Sequence, residues 1–438
     1  MVAASPPTEV DVLVVGAGLS GIGAAYHLQT LCPDRGYLIL ESREAIGGTW
    51  DLFRYPGVRS DSDMYTLGYR FEPWTGTKAL ADGPSILGYI RDVAAKHGID
   101  RRVRFSHRVQ AADWSSEDAC WRVTAERIDT GEQLRFRCRW LHMAAGYYDY
   151  AAGHLPDFPG RERFPGPVIH PQFWPQDLDY AGRRVVVIGS GATAVTLVPA
   201  LAERAGHVTM LQRSPTYIMS LPGPDRIAQA LRRLVGARRA YPLVRWKNVL
   251  LQMLMFNAAR RWPGAVKRNI VKAVRKELGA DYDVATHFTP SYKPWDQRLC
   301  LVPDSNLFAA MRERRADVAT GHIESFTEAG VRLTDGTEIP ADIIVAATGL
   351  RIQLLGGAAV TLDGQPQDLS KALLYKGMMF SDVPNLSISF GYTNASWTLK
   401  ADLIAAYLCR ILNRMARRRC AAAVPRRGPG VEEVPFVD

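Results

Sequence analysis

Two glycine clusters carry the clearest chemical potential in the chain, Gly16-Ala17-Gly18-Leu19-Ser20-Gly21 and Gly189-Ser190-Gly191-Ala192-Thr193-Ala194. Glycine lets backbone approach a pyrophosphate at a helix N-terminus, so each cluster suits a dinucleotide if a strand precedes it and a helix follows. The residue about twenty positions further on distinguishes them. Glu41, 20 positions after Gly21, can bridge ribose hydroxyls. Arg213, 19 after Ala194 and followed by Ser214, offers a cation and a hydroxyl to a 2′-phosphate and so favours NADP over NAD. A merely solvated arginine stays open at 213, because phosphate-binding arginines are placed variably.

The elements needed to position these residues are present. Residues 10–15 form an apolar run, the first cluster opens a helical pattern through Leu31, and residues 37–40 read as a second strand ending at Glu41. Alternating stretches over 103–146, broken at Asp129-Thr130-Gly131, predict a β-meander, and the proline-rich stretch 156–175 predicts a junction. A second βαβ unit follows, with a strand at 184–188, a helix to about Arg204 and a strand at 207–211. Residues 226–278 read as basic helices interrupted by Pro242 and Pro263. Hairpin patterns over 322–338 lead to a buried strand at 342–349, ending in Thr348-Gly349 and expected to return to the first unit.

The predicted fold class is α/β, with two doubly wound Rossmann-like dinucleotide-binding domains and a helical insertion in the second. The arrangement of the units points to FAD in the first domain and NADP in the second. The expected boundaries are 1–150 and 342–438 for the two parts of the FAD domain and 151–183 for a linker. Those of the NADP domain are 184–221 and 296–341, around an insertion at 222–295.

Bulk properties narrow the function classes. Of the 438 residues 47% are hydrophobic and 22% charged, as in a globular protein with more than one core. No apolar run approaches the roughly 20 residues that cross a bilayer. Neither a basic start nor an apolar stretch of signal-peptide type occurs in residues 1–8, so a cytoplasmic location is expected. The six cysteines include no C-x-x-C, which argues against a metal site and a disulfide-reductase dithiol. Net charge is +10, yet residues 225–279 alone hold fourteen Lys or Arg against Asp225 and Glu277, a balance of +12. A solvated helical face is the first explanation and peripheral contact with an anionic membrane the second; no nucleic-acid module accompanies the charge.

More specific motifs surround these units. The stretch Phe164-Pro165-Gly166-Pro167-Val168-Ile169-His170-Pro171-Gln172-Phe173-Trp174-Pro175 resembles the F-x-G-x-x-x-H-x-x-x-W-[P/D] fingerprint of type I Baeyer–Villiger monooxygenases. Gly48-Thr49-Trp50-Asp51 through Arg54-Tyr55-Pro56-Gly57 to Asp61 is similar to that family's second signature. GTWDLFRYPGVRSDSDMYTLG, PWDQRLCLVP and GYTNASWTLKADL resemble the mycobacterial ethionamide-activating branch in particular. The resemblance implies FAD and NADPH as cofactors, with Gly48, Thr49, Trp50, Asp51, Asp61, Thr348 and Gly349 joining the residues around them. Phe164, Gly166, His170 and Trp174 form the fingerprint, with His170 coupling NADP binding to domain movement.

By the same resemblance Arg298 is the active-site arginine and Asp61 its partner, a structural ion pair being the alternative. A fixed guanidinium can stabilise both a flavin C4a-peroxyanion and the oxyanion formed when it attacks a ketone carbonyl, and it does not deprotonate. Asn394 and Trp397 are candidate substrate-pocket residues, with core packing an equal reading of Trp397. The sequence departs from the family at Gln297, where many members carry a lysine that helps hold the NADP phosphate. Members also extend beyond the position of Pro435-Phe436, which leaves the active-site cover open.

The expected activity is therefore NADPH- and O2-dependent oxygen insertion beside a ketone carbonyl. The alternative is S- or N-oxygenation of sulfides, thioamides or amines. An uncoupled NADPH-consuming reductase or oxidase ranks third, and a non-catalytic binder acting through the basic helices last.

Overall fold

The computed structural model describes residues 6–434 other than 298, 393 and 394. Strand β1 (Thr8–Val15), helix α1 (Leu19–Leu31) and strand β2 (Tyr37–Leu40) form the first unit. Helices α2 (Thr49–Leu52), α3 (Met64–Leu67) and α4 (Gly83–Lys96) follow, then strands β3 (Val103–Arg104), β4 (His107–Ser115), β5 (Cys120–Arg127) and β6 (Glu132–Met143). Next, β7 (Tyr148–Gly153) and β8 (Val168–Ile169) lead into β9 (Arg184–Ile188), α5 (Ala192–Leu201), β10 (His207–Gln212) and β11 (Tyr217–Leu221).

Helices α6 (Arg226–Val235), α7 (Ala237–Arg261), α8 (Pro263–Leu278) and α9 (Val284–Phe288) separate β11 from β12 (Leu299–Pro303), yet these two strands pair in parallel. The helices thus leave and re-enter the domain at adjacent points. Helix α10 (Asn306–Arg312) precedes β13 (Ala316–Thr320), β14 (Ile323–Phe326), β15 (Gly330–Leu333), β16 (Glu338–Pro340) and β17 (Ile343–Ala346). The chain closes with β18 (Leu350–Ile352), β19 (Ala359–Leu362), β20 (Gln365–Pro366), β21 (Leu374–Tyr375), β22 (Met379–Phe380), β23 (Leu386–Ile388) and α11 (Trp397–Arg418).

The first sheet runs β20-β19-β4-β5-β6-β1-β2-β3. Strand β6 is antiparallel to β5 over its first half and parallel to β23 at Leu141–Met143, while β1 lies along its other edge. Alternation along β1 sends Val12 and Val14 into the core beneath α1, α4 and α11, and Leu13 and Val15 into the core shared with the meander. The second sheet is all parallel, in the order β13-β10-β9-β17-β8. Near-continuous apolar runs such as RVVVI suit strands covered on both faces.

One boundary expected from sequence is corrected. The strand within 342–349 does not return to the first sheet: β17 lies between β9 and β8 in the second, and β23 makes the return. Four buried apolar residues fit either sheet, and only the pairing decides. The helical insertion is also broken differently. Pro242 lies early in α7, where it forfeits a single backbone hydrogen bond; the break falls at Gly236, with φ of +79°, and Pro263 opens α8. Among the described residues no helix is long and apolar enough to cross a membrane.

Candidate functional site

The first turn leaves β1 through Gly16, whose φ of +105° and position against Ala144 exclude a side chain: a Cβ there would lie 2.6 Å from the Ala144 carbonyl oxygen. Gly21 is held equally tightly, since its Cβ would meet the Gly16 oxygen. Gly18 caps α1 and has no side chain to accept from the first-turn N–H groups. Gly48, with φ of +56°, closes on Gly18 backbone to backbone. Glu41, 4% exposed at the end of β2, accepts from the Ala17 N–H at 2.7 Å and the Arg43 N–H at 2.9 Å. Burial pushes its carboxyl pKa up, against the pull of those N–H groups. A helix N-terminus without a capping side chain, glycines in close approach and a pinned buried carboxylate fit a dinucleotide whose ribose hydroxyls meet Glu41.

The second turn repeats the construction. Gly189 has φ of +132°, and its Cβ would lie 2.4 Å from the Ala347 carbonyl oxygen, as Gly16 stands to Ala144. Gly191 caps α5 and faces open space. Ala192 and Thr193 form the first turn of α5, and Ser190 Oγ lies 2.7 Å from Thr216 Oγ1. Arg213 and Ser214 follow β10 and are exposed, which leaves the guanidinium accessible to a phosphate.

The fingerprint divides into packing and connection. Phe164 joins the core with Phe158 and Phe326, Gly166 approaches the Asp342 carbonyl too closely for any Cβ, and Trp174 meets Tyr180 edge to face. His170 connects: its Nδ1 accepts from the Gln172 N–H, and its Nε2 donates to the Gly349 carbonyl at 2.9 Å. Burial lowers its pKa, in keeping with this neutral Nε2–H form. Thr348 donates to the His154 carbonyl. Thr348 and Gly349 thus follow β17 just beyond Ala347, which backs the second turn, and both are tied to the linker.

Around the second signature, Thr49 Oγ1 lies 3.3 Å from the Tyr150 hydroxyl, and Trp50 packs partly buried against the first core. Asp51 carries an ion cluster that joins separate segments. Its buried carboxylate is ringed by Arg43 at 2.6 Å, Arg91 at 2.9 Å and Arg54 at 3.1 Å, so both oxygens are engaged in joining α2 to α4. Asp61 lies on the loop before α3, beside Arg59. Arg59 donates to the Leu301 carbonyl at 2.8 Å and so ties that loop to β12. Arg298 and Asn394 lie outside the described residues. Trp397 Nε1 donates to Ser20 Oγ at 2.7 Å and its ring stacks on Tyr147.

Sequence reading missed Arg59, although it stands two positions before Asp61 within the quoted signature. It also missed Arg43 and Arg91, whose convergence on Asp51 leaves no local pattern. His142 was missed too. Buried between β6 and β23, its ring nitrogens lie 2.8 Å from Ser387 Oγ and 3.2 Å from Ser389 Oγ, and burial depresses its pKa to about 4.

Two glycine turns of opposite charge preference, joined by a histidine-pinned linker, define a protein built to hold two dinucleotides at once. A family model described as pyridine nucleotide-disulphide oxidoreductase matches residues 13–222. The FAD-containing monooxygenase EthA of Mycobacterium tuberculosis is 54% identical over 432 residues, covering 98% of this chain and 88% of EthA. The OTEMO complex with FAD and NADP superposes with a TM-score of 0.78 at 22% identity, over 96% of this chain and 88% of OTEMO. Cyclohexanone monooxygenase with bound epsilon-caprolactone does so with 0.78 at 23%, over 95% and 89%. The chain therefore belongs to the FAD-containing monooxygenases of the EthA kind, and it has the fold of cyclohexanone monooxygenase.

Proposed function

We propose that the chain binds FAD at the turn from Gly16 to Glu41 and NADPH at the turn from Gly189 to Ser214, and carries out Baeyer–Villiger oxidation. A ketone, O2, NADPH and a proton give an ester or lactone, NADP⁺ and water. The observation that carries this reading is the His170–Gly349 hydrogen bond, which fastens the fingerprint linker to the segment that follows β17. Bound FAD, once reduced by NADPH, supplies the oxygen chemistry. The residues of the chain supply the rest. Glycine backbones and Glu41 fix the first nucleotide, and Arg213 with Ser214 meets the second. Arg298 provides a permanent positive charge for anionic oxygen, Asp61 orients it, and Arg59 holds the Asp61 loop against β12.

Oxygen transfer to sulfur or nitrogen is the second reading, supported by the resemblance of GTWDLFRYPGVRSDSDMYTLG and GYTNASWTLKADL to the ethionamide-activating branch. We place the enzyme in the cytoplasm, where NADPH is regenerated and buried thiols such as Cys32 and Cys138 stay reduced. The test is Arg298→Ala. The variant should retain FAD and consume NADPH in air, yet give no ester from a ketone panel and no sulfoxide from a sulfide panel. A normal ester yield would overturn the role given to Arg298.

A further inference from the structure

Helix α7 has two faces of opposite character. One grips the protein next to the Asp61 loop. Arg245 donates to the carbonyls of Tyr65, Thr66 and Gly68, Tyr241 to that of Tyr69, and Asn248 to the Asp63 carboxylate. The other face bears Leu243, Trp246, Leu250, Met253 and Leu254 at spacings of three and four, which places them in one stripe. Each of these five side chains is between 53% and 66% exposed. The stripe extends for roughly 16 Å at the helical rise of 1.5 Å per residue. A contiguous row of large apolar side chains is costly to leave in water and marks an interaction surface.

Charge identifies the partner. Arg239 precedes the stripe on the same face and Arg261 ends it; both are exposed and have no ion-pair partner among the described residues. The two acids of the segment are occupied elsewhere, Asp225 with Lys247 at 2.5 Å and Glu277 with Arg312 at 2.9 Å. Arg233 on α6, Arg238 on α7 and Arg268, Lys272, Arg275 and Lys276 on α8 are also exposed, so most of the positive charge of the segment faces solvent. An apolar stripe with tryptophan at its border and arginines at both ends matches the interfacial plane of a bilayer with anionic headgroups.

We infer that the outer face of α7 docks this protein onto an anionic lipid surface, lying in the headgroup region without crossing it. Because the inner face of α7 holds α3 and the residues just after Asp61, docking sets that loop close to the membrane. Apolar molecules dissolved in the bilayer are then the substrates within shortest reach.

The test uses the FAD-loaded full chain and large vesicles, either pure phosphatidylcholine or phosphatidylcholine with phosphatidylglycerol. The wild type should sediment with the anionic vesicles and lose binding as salt rises. Leu250→Glu with Leu254→Glu should lower the partition coefficient at least tenfold while circular dichroism and NADPH oxidation stay unchanged, because neither side chain touches the core. Arg239→Glu with Arg261→Glu should also weaken binding, by about fivefold for each charge removed. Failure of the wild type to sediment with anionic vesicles overturns the proposal, as does equal binding by the leucine variant. A wild-type dimer that the leucine variant turns into monomer, without vesicle binding, would overturn it in favour of a subunit interface.

Discussion

Replacing Gly16 and Gly18 separately by alanine distinguishes the scaffold of the first turn from its ligand contact. At Gly16 the new methyl would stand 2.6 Å from the Ala144 carbonyl oxygen, about 0.8 Å inside an ordinary 3.4 Å contact, and the atoms it meets are backbone. Its φ of +105° adds strain of about 1–3 kcal/mol for an L-residue. The overlap adds about 1–3 kcal/mol more, because β1 and the end of β6 cannot part without disturbing the sheet. Together these approach the lower end of a domain's stability of roughly 5–15 kcal/mol. At Gly18 the backbone is extended, with φ of −79°, and the methyl would make a 3.5 Å contact with the Gly48 Cα. Alanine there is neutral for the fold, or stabilises it by about 0.4–1 kcal/mol through the unfolded chain.

Thermal unfolding of flavin-stripped protein, paired with flavin absorbance after desalting of reconstituted protein, reads the two effects apart. Gly16→Ala should lower the melting temperature by on the order of 10 °C. Gly18→Ala should melt within about 2 °C of wild type yet lose most of its FAD, its methyl standing where the pyrophosphate approaches the α1 N-terminus. If Gly18→Ala retains FAD at wild-type stoichiometry and affinity, the first turn is not the flavin cradle. If Gly16→Ala melts like wild type, the packing argument fails.

Two further outcomes are expected. Arg213→Ala should raise KM for NADPH about tenfold or more and leave KM for NADH almost unchanged, since only NADPH carries the 2′-phosphate; steady-state oxidation of both coenzymes checks this, and an unchanged ratio removes Arg213 from the site. His142 keeps a folded-state pKa of about 4 against an unfolded value of 6.5. The unfolded chain therefore binds the extra proton between those values, and stability should fall as pH drops from 6.5 to 4, by roughly 3 kcal/mol in all. Denaturant unfolding of wild type and His142→Gln across that range should show a shallower slope in the variant.

Local pattern made the nucleotide units legible. Strands 10–15 and 37–40 and the helix ending at Leu31 were read almost to the residue, because a buried parallel strand, a glycine turn and a helix each have a short-range signature. The opposed charges of Glu41 and Arg213 were likewise visible, since each follows its glycines at a spacing set by one βαβ unit. Pairing across distance was not. Ile343–Ala346 carries only apolar residues, and nothing local tells it to lie beside β9 instead of β6; the endings Ala144-Ala145-Gly146 and Ala347-Thr348-Gly349, each backing its own glycine turn, held the clue.

Side-chain roles divide in the same way. Sequence alone determined that Asp51 and Asp61 belong to one signature, but carboxylates are alike until their neighbours are known. The tertiary structure gave Asp51 three arginines from separate segments and set Asp61 beside Arg59 on a loop tied to β12. It also turned a basic, helical stretch into a helix with one face gripping the protein and one apolar face outward. Burial of a face depends on what packs against it, and the chain reveals that only when folded.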